Sequence, residues 1–100
     1  MAQPNLDSPA RIYIRVTGRV QGVGFRSFVE ETATRFSLTG WVRNLGYDQV
    51  EVLAEGPRQN LERFTEQVKT GPTGGRVDEA WVEWESGTGE FSSFVVRSSR

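Results

Sequence analysis

From Arg11 onward, apolar and polar side chains take turns. Ile12, Ile14 and Val16 alternate with Arg11, Tyr13 and Arg15, the two-residue period of a half-buried strand. A loop from Thr17 to Gly24 follows, with glycines at 18, 22 and 24. Beyond it Phe25, Phe28, Val29, Thr32, Ala33 and Phe36 recur at steps of three and four, leaving Glu30, Glu31 and Arg35 outward. That spacing predicts a helix with one apolar face. Trp41 and Val42 mark a second strand over Leu38–Asn44, and Val50, Val52 and Ala54 line one face of a third over Gln49–Glu55. Gly46-Tyr47-Asp48 joins them in a connection of hairpin length. Gly56-Pro57 opens a second helix, with proline near the first helical position, where its missing N–H costs least. Leu61, Phe64 and Val68 form its inner face, and Gly71-Pro72 ends it. After a glycine-rich stretch to Arg76, Val77–Glu85 alternates Ala80, Val82 and Trp84 against Trp81 and Glu83. A short last strand is predicted around Phe94–Arg97.

The resulting order is β-α-β-β-α-β plus a short C-terminal strand. Two halves of similar length predict an α+β, ferredoxin-like sandwich with both helices on one face of the sheet. Residues 1–10 are polar, contain two prolines and show no periodicity, which predicts a flexible leader ahead of a single domain over 11–100.

Composition narrows the chemistry. Twelve Lys+Arg against 13 Asp+Glu leave a formal charge of −1, unsuited to a dedicated nucleic-acid binder. The chain has no cysteine and no histidine. It therefore lacks a thiolate nucleophile, the usual neutral-pH base and the commonest metal ligands. No signal-peptide pattern and no apolar run of about 20 residues are present. The expectation is a cytoplasmic protein without membrane or nucleic-acid partners.

Chemistry concentrates in Gly18-Arg19-Val20-Gln21-Gly22-Val23-Gly24-Phe25-Arg26. Three glycines between a strand and a helix let successive N–H groups turn toward one point beside the positive end of the helix dipole, an anion site. Residues 8–29 hold four arginines (11, 15, 19 and 26) and no acid, leaving the remainder with eight bases against 13 acids. Arg26 stands in the first turn, where a cation opposes the macrodipole. A surface arginine is the ordinary reading of such a residue. This unfavourable placement beside a cluster of donors favours a phosphate ligand instead, which the guanidinium fork suits. Arg11, Arg15 and Arg19 otherwise read as solvated, adding attractive potential.

Other glycine motifs fail. Gly22-Val23-Gly24 runs on to Ser27 without the third glycine of a dinucleotide loop, and no Gly-Lys-Ser/Thr ends a Walker loop. Gly22-Val23-Gly24-Phe25-Arg26-Ser27-Phe28 imitates an RNA-binding string, but the helical period sends both rings into the core.

These residues resemble the acylphosphatase family. Val16-x-Gly18-x-Val20-Gln21-Gly22-Val23-Gly24-Phe25-Arg26 matches its signature loop and Gly40-Trp41-Val42-Arg43-Asn44 its second motif, with agreement across roughly 11–97. The resemblance implies metal-free, cofactor-free hydrolysis of a small acyl phosphate to a carboxylate and inorganic phosphate by a cytosolic monomer. It implies that Arg26 and the amides of Gly18, Arg19, Val20, Gln21, Gly22, Val23 and Gly24 hold the phosphate, while Asn44 positions the attacking water. By its sequence setting alone, Asn44 is a strand-end residue before a turn. Here Gly46-Tyr47-Asp48 replaces the family's Asp-Gly turn, and Ser27 replaces a larger residue. A noncatalytic phosphate- or anion-binding module is the alternative. The paired acids Glu30/Glu31 and Glu83/Glu85, and the helix residues Arg58, Glu62 and Arg63, read as solvated surface. Trp41, Trp81 and Trp84 read as core or partly covered packing.

Overall fold

The computed structural model describes residues 9–100. The leader predicted over 1–10 lies outside them except for Pro9 and Ala10, which open the first strand. Seven elements follow: β1 Pro9–Arg19, α1 Phe25–Arg35, β2 Thr39–Leu45, β3 Gln49–Pro57, α2 Arg58–Thr70, β4 Arg76–Ser86 and β5 Phe94–Val96. The sheet order is β4-β1-β3-β2-β5, with β1 antiparallel to β3 and β4, β2 antiparallel to β3, and β5 parallel to β2. This is the ferredoxin-like plan with a fifth strand.

The register explains the alternation. Ile14 lies opposite Val52 on one side and Val82 on the other, and Val42 lies opposite Val52. Ile12, Ile14, Val16, Val50, Val52 and Ala54 are fully buried against Phe25, Val29 and Ala33 of α1 and Leu61, Phe64 and Val68 of α2. Each large apolar side chain so covered contributes roughly 1.5–3 kcal/mol. Phe28 packs at the margin of the same core, its ring centroid 6.1 Å from that of Phe25. Neither ring lies on the open sheet face.

Two boundaries and one side chain depart from the sequence pattern. β1 runs from Pro9 to Arg19, absorbing two leader residues and the first three loop residues, because β4 pairs with it over that length. Pro57 ends β3 and caps α2 with φ −60° and ψ 136°, one position ahead of the first helical residue. Trp81 is 54% exposed and does not pack, since β4 is an edge strand and Trp81 faces away from the helices. Trp41, by contrast, is buried beneath the guanidinium groups of Arg43 and Arg97, at 4.6 and 5.1 Å.

The open face carries a polar lattice. Tyr13 donates to Glu51 at 2.7 Å, and burial followed by that bond pushes its hydroxyl pKa up to about 12. Glu55, only 4% exposed, gathers donors from distant segments. Arg11 Nε lies 2.6 Å from Oε2, the Thr88 hydroxyl 2.8 Å from Oε2, and the Gly89 N–H 2.8 Å from Oε1. Burial alone would raise its pKa; the donors from Gly89, Thr88 and Arg11 outweigh burial and hold the carboxyl below its ordinary value.

A folded-state pKa below the unfolded value of about 4.3 means that Glu55 stabilises the fold above that pH. The contribution disappears as pH falls through the folded value. Glu55→Gln is therefore expected to cost about 2 kcal/mol at neutral pH, or about 10 °C in Tm for a domain of this size. The gap to the parent should narrow in melts at pH 3. A gap independent of pH would show that the carboxylate charge contributes nothing.

Candidate functional site

The loop between β1 and α1 is shorter than its glycine spacing suggests. Gly18 sits inside β1, at an irregularity in the pairing with β4. Its φ of 131° and the Arg76 carbonyl crowding the place of a Cβ explain the glycine. Its N–H is spent on the Asp48 carbonyl at 3.1 Å. Arg19, also in β1, lines an open depression of about 530 Å³ with Asp48, Arg76, Asp78 and Glu79. Three carboxylates there oppose an anion. Gly18 and Arg19 are the last two residues of β1, and Val20 to Gly24 join the elements. Hydrophobic periodicity could not show this, because the extension of β1 depends on pairing with a strand almost 60 residues later.

Within Val20–Gly24 the side chains anchor and the backbone is free. Val20 is buried, Val23 packs against the core, and Gln21 turns toward the β2–β3 hairpin. Among the described residues, the N–H groups of Gln21, Gly22, Val23 and Gly24 donate to no protein acceptor. Gly24 caps α1 in the left-handed region, φ 76° and ψ 20°, without a side-chain cap. The first helical bond runs from the Phe28 N–H to the Gly24 carbonyl at 3.0 Å. The N–H groups of Phe25, Arg26 and Ser27 are therefore left over by helix geometry. No acid stands in the first turn to neutralise them. Free donors and the positive end of the dipole thus gather at the head of α1.

Arg26 is half-buried and makes no ion pair among the described residues. It lines a cavity of about 120 Å³ with Val20, Gly22, Gly24, Phe25, Ser27 and Asn44. None of these is acidic. Asn44 enters from β2, paired with Val50 and two residues from buried Val42, so it faces the helix side of the sheet. Its Oδ1 is buried and, among the described residues, has no hydrogen-bond partner. Leaving such an acceptor unpaired costs roughly 1–3 kcal/mol. A polar atom kept at that cost, on a residue that lines a cavity with Arg26, is suited to an incoming water or substrate.

Two features around Asn44 escaped the sequence reading. The C-terminal tail continues along β2: the Arg97 N–H donates to the Val42 carbonyl at 2.8 Å and the Arg100 N–H to the Asn44 carbonyl at 2.9 Å. The Gly46 N–H donates back to the Arg100 carbonyl at 2.9 Å, so the strand end carrying Asn44 is paired on both sides. Gly46 takes positive φ, 63°, at the first position of the turn, where the glycine has moved relative to Asp-Gly.

Comparison with known proteins identifies the family. The acylphosphatase family model matches residues 12–96. The acylphosphatase of Syntrophotalea carbinolica is 47% identical over 89 residues, covering 89% of this chain and 97% of that protein. That of Salinibacter ruber is 46% identical over 87 residues, covering 87% and 92%. The chain belongs to the acylphosphatase family. The crystal structure of the Bacillus subtilis acylphosphatase superposes with a TM-score of 0.84 at 40% identity, over 88% of this chain and 98% of that one. Membership brings the enzyme class: an acyl phosphate hydrolase, releasing a carboxylate and inorganic phosphate, rather than a module that only binds anions. Among the described residues, no helix is long and apolar enough to cross a membrane.

Proposed function

We propose that hydrolysis proceeds by attack of water on phosphorus, with the phosphate held by Arg26 and the Val20–Gly24 amides and the water oriented by Asn44. The observation carrying this reading is the buried, unpartnered Oδ1 of Asn44, a residue that lines one cavity with Arg26. Oδ1 accepts a hydrogen bond from the water and thereby directs an oxygen lone pair at phosphorus. The guanidinium and free amides receive the charge spread over the phosphoryl oxygens in a loose transition state, where positioning and electrostatics supply most of the catalysis. The leaving carboxylate has a conjugate acid of pKa about 4 and departs without a general acid. The water proton passes to a phosphate oxygen. No step asks for a histidine, cysteine, metal or cofactor.

Gly18 and Arg19 have no direct part in this scheme; their place in β1 supports the start of the loop. The enzyme is proposed to work as a cytoplasmic monomer. Among the described residues the exposed large apolar side chains are Tyr47, Trp81, Val95 and Val96, spread over a turn and the two edge strands rather than gathered into an interface. Benzoyl phosphate hydrolysed in heavy-oxygen water, with a chelator present, tests the route. The label is expected in inorganic phosphate, and phosphate is expected to inhibit competitively. Label in benzoate would mean attack at the carbonyl carbon and would end the proposal.

A further inference from the structure

Within the Val20–Gly24 loop, Gln21 carries the one polar side chain, and its contacts are long-range. Its carboxamide Nε2 donates to the Gly46 carbonyl at 3.0 Å and to the Gln49 carbonyl at 2.9 Å, across 25 and 28 residues. The two hydrogens of one amide thus hold both ends of the Gly46-Tyr47-Asp48 turn. Gly46 follows Asn44 by two residues, and Gln49 pairs with Leu45, its immediate neighbour. The side chain therefore spans from the phosphate-holding loop to the strand end that carries Asn44. Among the described residues the loop backbone offers no second tie to this turn; the nearest is the Gly18 N–H of β1 on the Asp48 carbonyl.

We infer that Gln21 is a positioning residue: its bridge sets the spacing between the phosphate, held on the loop and α1, and the water, held on β2. This rests on the roles proposed for Arg26 and Asn44. Phosphate affinity belongs to one side of the bridge, since Arg26 and the loop amides move together at the head of α1. The distance between water and phosphorus depends on both sides. A misplacement of about 1 Å can cost on the order of 10²-fold in rate. Loss of the bridge therefore falls on kcat rather than on phosphate binding.

Gln21→Met keeps the length of the side chain and removes both donors. It is expected to lower kcat for benzoyl phosphate at least about tenfold, with the inhibition constant of inorganic phosphate within about threefold of the parent, a split of kcat from binding that a loosened loop would not give. Gln21→Asn, shorter by one methylene and unable to reach both carbonyls, is expected to do the same and serves if the methionine variant fails to fold. The double variant with Asn44→Ala decides the matter. Once the water-holding group is gone, Gln21→Met is expected to cost little more, because spacing to an absent group no longer counts. A full additional loss in the double variant, or a parallel loss of phosphate affinity, would make Gln21 merely structural and overturn the inference. If Asn44→Ala alone kept the parent kcat, the underlying reading would fall, and the positioning role with it.

Discussion

Arg26→Ala is expected to lower kcat/KM for acyl phosphates by about 10³-fold or more, within the range found when a cation on a transferring phosphoryl group is removed. The inhibition constant of inorganic phosphate should rise more than tenfold in the same preparation, since ground state and transition state both present phosphate oxygens to this guanidinium. The variant should nevertheless melt no lower than the parent. Arg26 makes no ion pair among the described residues. It stands in the first turn of α1 beside free N–H groups, where its charge opposes the dipole by roughly 0.3–1 kcal/mol. Removing it relieves that repulsion. Activity lost while stability is kept or gained marks a residue retained for a ligand. Arg26→Lys restores the charge without the fork and should recover binding in part. An unchanged phosphate inhibition constant in Arg26→Ala would remove this residue from the site.

That placement shows which parts of the molecule local chemistry reveals. The apolar stripe from Phe25 to Ala33 reports α1 because one helix face meets one sheet face, and the alternation from Ile12 to Val16 reports β1 for the same reason. The three glycines and the misplaced cation of Arg26 are local too, so an anion site could be argued from spacing alone. What depends on distant partners left no local trace. Gly18 reads as loop until β4 is laid beside it. Glu55 reads as one more surface acid on β3, yet Thr88 and Gly89 close over it from more than 30 residues away. Gln21 reads as one residue among loop amides, whereas its side chain turns away to clasp the hairpin. Asn44 is the intermediate case. Its residue type and strand-end position suggest only a turn; the resemblance singled it out, and the orphaned Oδ1 is visible only with the sheet and loop assembled.

Asn44→Ala is expected to lose activity like Arg26→Ala but to differ from it in phosphate binding. kcat should fall about 10²–10³-fold, the range found when one positioned polar group is removed from a transition state. The phosphate inhibition constant should stay near that of the parent, because Arg26 and the loop amides are untouched. Stability should hold or rise by about 1 kcal/mol, since truncation discards an acceptor buried without a partner and breaks no hydrogen bond. The strand end stays in place through backbone bonds that the substitution leaves intact, notably the Arg100 N–H on the Asn44 carbonyl. Asn44→Asp separates orientation from charge. A carboxylate at this position still accepts a hydrogen bond from the water, but it brings a negative charge into the cavity proposed to take the phosphate. Its phosphate inhibition constant should therefore rise where that of the alanine variant does not. If the alanine variant lost phosphate affinity as strongly as turnover, Asn44 would be a phosphate ligand. The water would then have to be held by some other group on the cavity wall.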